Sequence, residues 1–215
     1  MSDTRIVADD DAGRAAGIDV LRRGGLVALP TDTVYGIAVR LDLPGGIRRL
    51  FAAKRRPPDK AVMLLLADAA QAAEIGQLTP AAVALGDALW PGGLSVVVPQ
   101  RPDVPLPGRV APRDPARALA AGVGPLPTTS ANVSGLSEAR TAAEILEQLG
   151  DAVDLVLDGG EAHGGPASTV VDCSTDEPRI LRLGAVPAER VAAILDAAGV
   201  RHAIGSASNG GARIG

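Results

Sequence analysis

Aromatic residues are nearly absent from this chain. Trp90, Tyr35 and Phe51 are the single members of their types among 215 residues. That scarcity excludes the stacking platforms on which single-stranded nucleic acids are held. Cys173 is the one cysteine, which excludes a disulfide framework. With one cysteine and two histidines, His163 and His202, the chain carries no zinc ligand set. No apolar stretch approaches the ~20 residues of a membrane span. Residues 1–17 are polar and acidic, without the apolar centre of a secretory signal. A cytoplasmic protein without membrane contact is expected. The sequence also lacks a P-loop, a dinucleotide-binding glycine fingerprint, an H-E-x-x-H helix and a G-x-S-x-G elbow.

Positive charge is scarce too. The net charge is −4 and the pI about 5.2, which argues against a broad nucleic-acid-binding face. Lysine occurs only at Lys54 and Lys60. Both lie in Lys54-Arg55-Arg56-Pro57-Pro58-Asp59-Lys60, which packs four of the 21 cationic side chains into seven residues. Two adjacent prolines fix φ and stop a helix, so the charges sit on a stiff loop. Charge runs are usually solvated surface. A rigid cationic loop in an acidic protein also suits an anion, phosphate first, through bidentate arginine and point-charge lysine.

Apolar residues make up 47% of the chain, enough for a core built from Ala, Val, Leu and Ile. Patterning predicts helices over 10–23, 45–54, 68–76, 81–89, 141–149 and 187–198. Thr79 is the expected N-cap and Pro80 the N1 residue of the fourth. Thr141-Ala142-Ala143-Glu144 reads as a capping box. Short apolar runs predict strands over 26–29, 34–39, 62–66, 94–98, 153–157, 168–172 and 179–183. A short buried segment ends at 127–129, and a short strand near 109–113 interrupts a proline-rich loop. Strands interspersed with helices give an α/β domain with a mixed sheet over 1–204. Residues 205–215, rich in Gly, Ser and Ala, are expected to form a flexible tail.

Polar clusters recur at strand ends, where open sheets bind ligands. They are Pro30-Thr31-Asp32-Thr33-Val34-Tyr35-Gly36, the basic loop, Pro127-Thr128-Thr129-Ser130-Ala131-Asn132-Val133-Ser134-Gly135, Ser168-Thr169-Val170-Val171-Asp172 and Leu181-Arg182-Leu183-Gly184. Taken singly, the first is an ordinary turn, the third a Ser/Thr-rich loop and the fourth an ordinary strand.

Taken together, in this order and spacing, these segments and Leu89–Val98 resemble the YrdC/TsaC family of L-threonylcarbamoyladenylate synthases, of the short single-domain type. The resemblance covers about Gly24 to Gly184. It implies a twisted mixed sheet flanked by helices, with a large open cavity. It also implies a reaction in which L-threonine, bicarbonate and ATP give threonylcarbamoyl-AMP and pyrophosphate. The product feeds a separate transferase complex that modifies adenosine 37 of tRNA, so direct tRNA binding is expected to be weak or absent. Mg2+ is the implied cofactor, carried with ATP, and no resident metal site is expected.

Residue by residue, the resemblance assigns Lys54, Arg56, Lys60, Ser130, Asn132 and Arg182 to ATP, with Lys54 and Arg56 acting on the leaving phosphates. Lys60 stands where the family usually has Asn. The resemblance assigns Thr33, Arg113, Thr128 and Ser168 to threonine. Three positions depart from the family's pattern: Leu65 replaces a histidine, Pro115-Ala116-Arg117-Ala118 replaces P-x-H-P, and Ala61 replaces a proline. On the sequence alone two other readings stay open. One is a carbamoyl-adenylate-forming relative with a different acceptor. The other is a non-catalytic RNA- or nucleotide-binding protein of the same fold.

Overall fold

The structure, a computed structural model, describes residues 4–58, 60, 62–104, 112–113 and 117–205. Its larger sheet has seven strands in the order β1 (Arg5–Ala8), β8 (Leu155–Asp158), β2 (Val27–Leu29), β3 (Gly36–Ala38), β7 (Leu126–Ser130), β4 (Met63–Leu65) and β6 (Pro112–Arg113). Its pairing is mixed: β8 runs parallel to β1 and β2, whereas β3 is antiparallel to both β2 and β7. A second, three-stranded sheet has the order β10 (Arg179–Arg182), β9 (Thr169–Asp172) and β5 (Leu94–Val97).

Alternation decides which face each strand residue serves, because successive side chains point to opposite faces. Val27, Leu29, Ala38, Leu65, Leu126, Leu155 and Leu157 form one face of the larger sheet. They pack against Val20 and Leu21 of α1 (Asp11–Arg22) and Leu119 and Ala120 of α5 (Arg117–Val123). The opposite face, with Ala28, Ile37 and Val156, takes Leu50 and Phe51 of α2 (Gly46–Ala53) and Ile145 and Leu149 of α6 (Ala142–Leu149). The small sheet packs on α3 (Ala69–Ile75), α4 (Pro80–Leu89) and α7 (Ala188–Ala197). Leu64 of β4 belongs to this last cluster and so ties the two sheets together. Aliphatic side chains carry the core, each fully buried one contributing about 1.5–3 kcal/mol.

Helix starts follow local chemistry. Asp10, Asp68, Thr79 and Thr141 each accept a hydrogen bond from a first-turn amide. Glu144 reaches back to the amide of Arg140 at 2.6 Å, one residue before the N-cap expected of a capping box. Three features differ from expectation. Arg5–Ala8 forms an edge strand, a four-residue element too short for periodicity to reveal. Arg117–Val123 forms a helix in a stretch to which the sequence assigned no element. The strands divide into two sheets, because β5, β9 and β10 pair only with one another. The strand expected near 109–113 appears at Pro112–Arg113, and positions 109–111 and the tail from 206 lie outside the described residues. Among the described residues no helix is long and apolar enough to cross a membrane.

Candidate active site

The carboxyl ends of β2 and β7 meet the amino ends of β3 and β4 at one end of the larger sheet, as their antiparallel pairing requires. A cleft of about 250 Å3 opens there, just below the ~300–1,000 Å3 usual for small-molecule sites. Its floor is the exposed end of the sheet face that α1 and α5 cover elsewhere. Gly36 pairs with Ser130, Met63 with Thr128 and Leu65 with Leu126, so these side chains share a face. Gly36 keeps the floor low: a Cβ there would stand 3.0 Å from Thr128 Cγ2. Thr31, Thr33, Val34 and Thr129 line the cleft as well. Arg56, Glu138 and Arg182 supply its charged lining among the described residues.

The basic loop owes its shape to the end of α2. Arg55 has φ 53°, in the left-handed region that favours glycine. The Arg55 amide bonds Ala52 O at 3.0 Å and the Arg56 amide bonds Phe51 O at 2.9 Å, the paired hydrogen bonds of a Schellman motif. Lys54 is the C-cap, 1% exposed, and turns inward. Arg55 is left outside and exposed. Arg56 returns toward the cleft, its guanidinium carbon 5.8 Å from the centroid of the Phe51 ring. A non-glycine residue in the left-handed region costs about 1–2 kcal/mol, partly offset by the flexibility glycine adds to the unfolded chain. Arg55→Gly is therefore expected to stabilise the protein by about 1 kcal/mol. Chemical denaturation checks this; a lower midpoint would contradict the strain.

Lys54 sits in a polar nest beneath the floor. Its ammonium donates to Ser130 O, to Ser130 Oγ at 3.4 Å and to Asn132 Oδ1 at 2.9 Å. The Lys54 carbonyl accepts from the Ser134 amide at 2.9 Å, closing the clamp between α2 and the loop after β7. Burial, and next the nearby Arg56 charge, push the Lys54 pKa down to about 8, while Glu138 opposes the shift. Burial also lowers the pKa of Arg56. These are desolvated cations, for which an anion is the natural counterpart.

A pH prediction follows from Lys54. Anion affinity of the free protein falls as pH rises through about 8, because Lys54 then loses its charge. Pyrophosphate should bind roughly tenfold more weakly at pH 9 than at pH 7, measured by calorimetry. Stability moves the other way. The folded pKa lies below the usual 10.5, so between about 8 and 10.5 the unfolded chain holds more protons and stability rises with pH. A flat affinity across this range would contradict the assignment.

The wall opposite the floor comes from the small sheet. Arg182 Nε and Nη2 donate to Ser168 O at 3.2 and 2.9 Å, which holds the exposed guanidinium at the rim. Ser168 itself is fully buried and its Oγ has no hydrogen-bond partner among the described residues. Its neighbour Ala167 reaches the cleft. Gly184 lies against this pair, where a Cβ would stand 1.8 Å from Ala167 O.

The structure brings Thr33, Arg56, Thr128, Ser130 and Arg182 to one cleft. Lys54 and Asn132 lie behind Ser130, buried and outside the lining. Ser168 lies behind Ala167. Arg113 is placed by its backbone, as the parallel partner of Leu65. Lys60 is exposed and does not line the cleft. Leu65, expected as a departure, forms floor together with Met63. Glu138 was not foreseen; it stands in a Ser/Gly-rich loop with no local pattern to mark a carboxylate.

The model of the Sua5/yciO/yrdC family, described as "Telomere recombination", matches residues 19–184. A threonylcarbamoyl-AMP synthase of Pyrococcus abyssi is 33% identical over 192 residues, covering 84% of this chain and 56% of that protein. One of Bacillus subtilis is 30% identical, covering 91% and 59%. The chain thus spans less than two thirds of the length of either. One of Vibrio parahaemolyticus is 31% identical over 78% of this chain and 96% of its own length. Among solved structures, P. abyssi Sua5 complexed with L-threonine superposes with a TM-score of 0.81 at 29% identity, over 93% of this chain and 61% of that one. E. coli YciO, at 22% identity and a TM-score of 0.77 over 89% of this chain and all of that one, shares the fold.

Proposed function

From the premise that this chain belongs to the Sua5/YciO/YrdC family, we propose that it makes threonylcarbamoyl-AMP from L-threonine, bicarbonate and ATP, releasing pyrophosphate. One observation carries the reading. Arg56, Arg182, Ser130 and a set of threonine hydroxyls converge on a single cleft, above a buried Lys54. That is a site for an anion with a polar, partly apolar second substrate beside it.

The chemistry needs no covalent protein nucleophile. The threonine amine attacks the carbon of bicarbonate, forming a C–N bond and losing water to give a carbamate. A carbamate oxygen then attacks the α-phosphorus of ATP, and the bond to pyrophosphate breaks. The protein's task is to hold two anions in line and to neutralise the leaving group. Arg56 and Arg182 do this from the cleft wall, and Lys54 adds its charge from below Ser130. Thr33 and Thr128 face the acceptor, with Arg113 and Ser168 assigned to the same end. Met63 and Leu65 give that end an apolar floor suited to the threonine methyl. This favours threonine over serine, whereas an acceptor of another kind stays the second reading.

Mg2+ is proposed to enter with ATP. Among the described residues no cluster of three His, Cys, Asp or Glu could hold a metal. Glu138, the cleft's carboxylate, fits as a partner for an ion the phosphates already carry. The ion's contribution is further neutralisation of pyrophosphate. The product would pass to the tRNA-modifying transferase complex in the cytoplasm, with no tRNA contact required of an acidic protein. Pyrophosphate release from ATP and bicarbonate, compared among L-threonine, L-serine and no amino acid, tests the reading. Release dependent on L-threonine supports it. Equal release in all three arms would point to another acceptor, and none in any arm to a binding protein.

A further inference from the structure

The Ser-x-Asn pair was expected to grip nucleotide phosphates with both side chains, but hydrogen bonding gives Asn132 a different place. An asparagine side chain offers two donors on Nδ2 and two lone pairs on Oδ1. Here Nδ2 donates to Val133 O at 3.0 Å and Leu136 O at 2.8 Å. Oδ1 accepts from Lys54 Nζ at 2.9 Å and Ser130 Oγ at 2.6 Å. All four positions are used within the protein. The amide's orientation is fixed chemically. Two carbonyls only accept and an ammonium only donates, so a reversed amide would set oxygen against oxygen and nitrogen against nitrogen. Asn132 is 6% exposed and does not line the cleft.

Lys54 is saturated in the same way, its three protons directed at Ser130 O, Ser130 Oγ and Asn132 Oδ1. Ser130 alone of the three reaches the cleft. Its single proton rests on Asn132 Oδ1. It can turn to a ligand oxygen without orphaning that atom, because Lys54 still donates there.

We propose that Asn132 is a positioning residue, which holds the Lys54 ammonium under the cleft floor and frees Ser130 to face the phosphates, and that it makes no contact with the nucleotide itself. The inference rests on the reading of this cleft as the nucleotide site. Its geometric half, Asn132 holding Lys54, can be measured without any activity. Among the described residues, the charged groups that act on Lys54 are Arg56, on the same turn, and Glu138, from the loop after β7.

The chain has only two lysines, so protein labelled with 13C at lysine Cε gives two resonances, assigned by Lys54→Met. The Lys54 titration midpoint is read in wild type, Asn132→Asp and Asn132→Ala, with ATP affinity measured over the same pH range. A carboxylate at this position should raise the midpoint by a unit or more, and loss of the acceptor should lower it. The alkaline fall in ATP affinity should move with the midpoint in each variant. Two variants of opposite sign keep the test alive if one does not fold. An unmoved midpoint in a folded variant, with ATP affinity lowered equally at every pH, would mean that Asn132 touches the nucleotide and would overturn the inference. Shifted midpoints in a protein whose wild type binds no ATP would leave the clamp standing and remove the nucleotide reading instead.

Discussion

Arg56→Ala is expected to lower threonine-dependent pyrophosphate release by about a thousandfold or more, with the fold intact. Arginines that neutralise charge in phosphoryl transfer are worth roughly 10^3–10^5 in rate. Arg56 is the cation of the basic loop that lines the cleft. Burial lowers its pKa, the mark of a charge stripped of water and strongly attractive to an anion. Arg56 is half-buried at the cleft and belongs to none of the apolar clusters, so the variant should still fold. Arg56→Lys should recover little, because a point charge lacks the planar fork and the contact over Phe51. Steady-state kinetics on folded protein decide this; turnover within tenfold of wild type would remove Arg56 from the chemistry.

Gly184→Ala is expected to lose about 3 kcal/mol of stability and to weaken ATP binding, although no atom of Gly184 reaches the cleft. A Cβ there would sit 1.8 Å from Ala167 O and 2.6 Å from the Ser168 carbonyl carbon. Both are backbone atoms at the start of β9, so no side chain can swing aside. The Gly184 amide donates to Thr169 Oγ1 at 2.9 Å and the Ala185 amide to Ala167 O at 2.9 Å. Opening this contact moves Ala167, which lines the cleft, and the Ser168 carbonyl on which Arg182 rests. Overpacking commonly costs about 1–3 kcal/mol, and a shift of this size lowers the melting temperature of a domain this long by roughly 6–12 °C. Gly135→Ala is the contrast. Gly135 has φ 91° and open space around it, so alanine there meets only backbone strain of about 1–2 kcal/mol. Equal losses from the two changes would contradict the clash.

Much of this site was legible in the order of short motifs. Apolar runs such as Leu26–Leu29 and Leu94–Val98 marked strands directly, and Thr79-Pro80 marked a helix start. The polar residues after Leu26–Leu29 and those at the end of Leu126–Ser130 fall at one end of the larger sheet because strand pairing brings them there. What stayed hidden depends on contacts between distant segments. Lys54 and Arg56 look equivalent in the chain, yet one turns inward and the other lines the cleft. The turn between them uses a left-handed Arg55, where local rules look for glycine. Ser168 belongs to the right segment but hides behind Ala167, and Lys60 stays outside. Arg5–Ala8 is too short for its alternation to register, and Glu138 carries no local pattern at all.

The most direct test is product detection. The protein is incubated with ATP, L-threonine and 13C-bicarbonate, and the nucleotides are analysed by mass spectrometry. A threonylcarbamoyl-adenylate one mass unit heavier than with ordinary bicarbonate is expected, formed in step with pyrophosphate and absent from Arg56→Ala. Pyrophosphate without a labelled adenylate, or no turnover of ATP by folded wild-type protein, would contradict it.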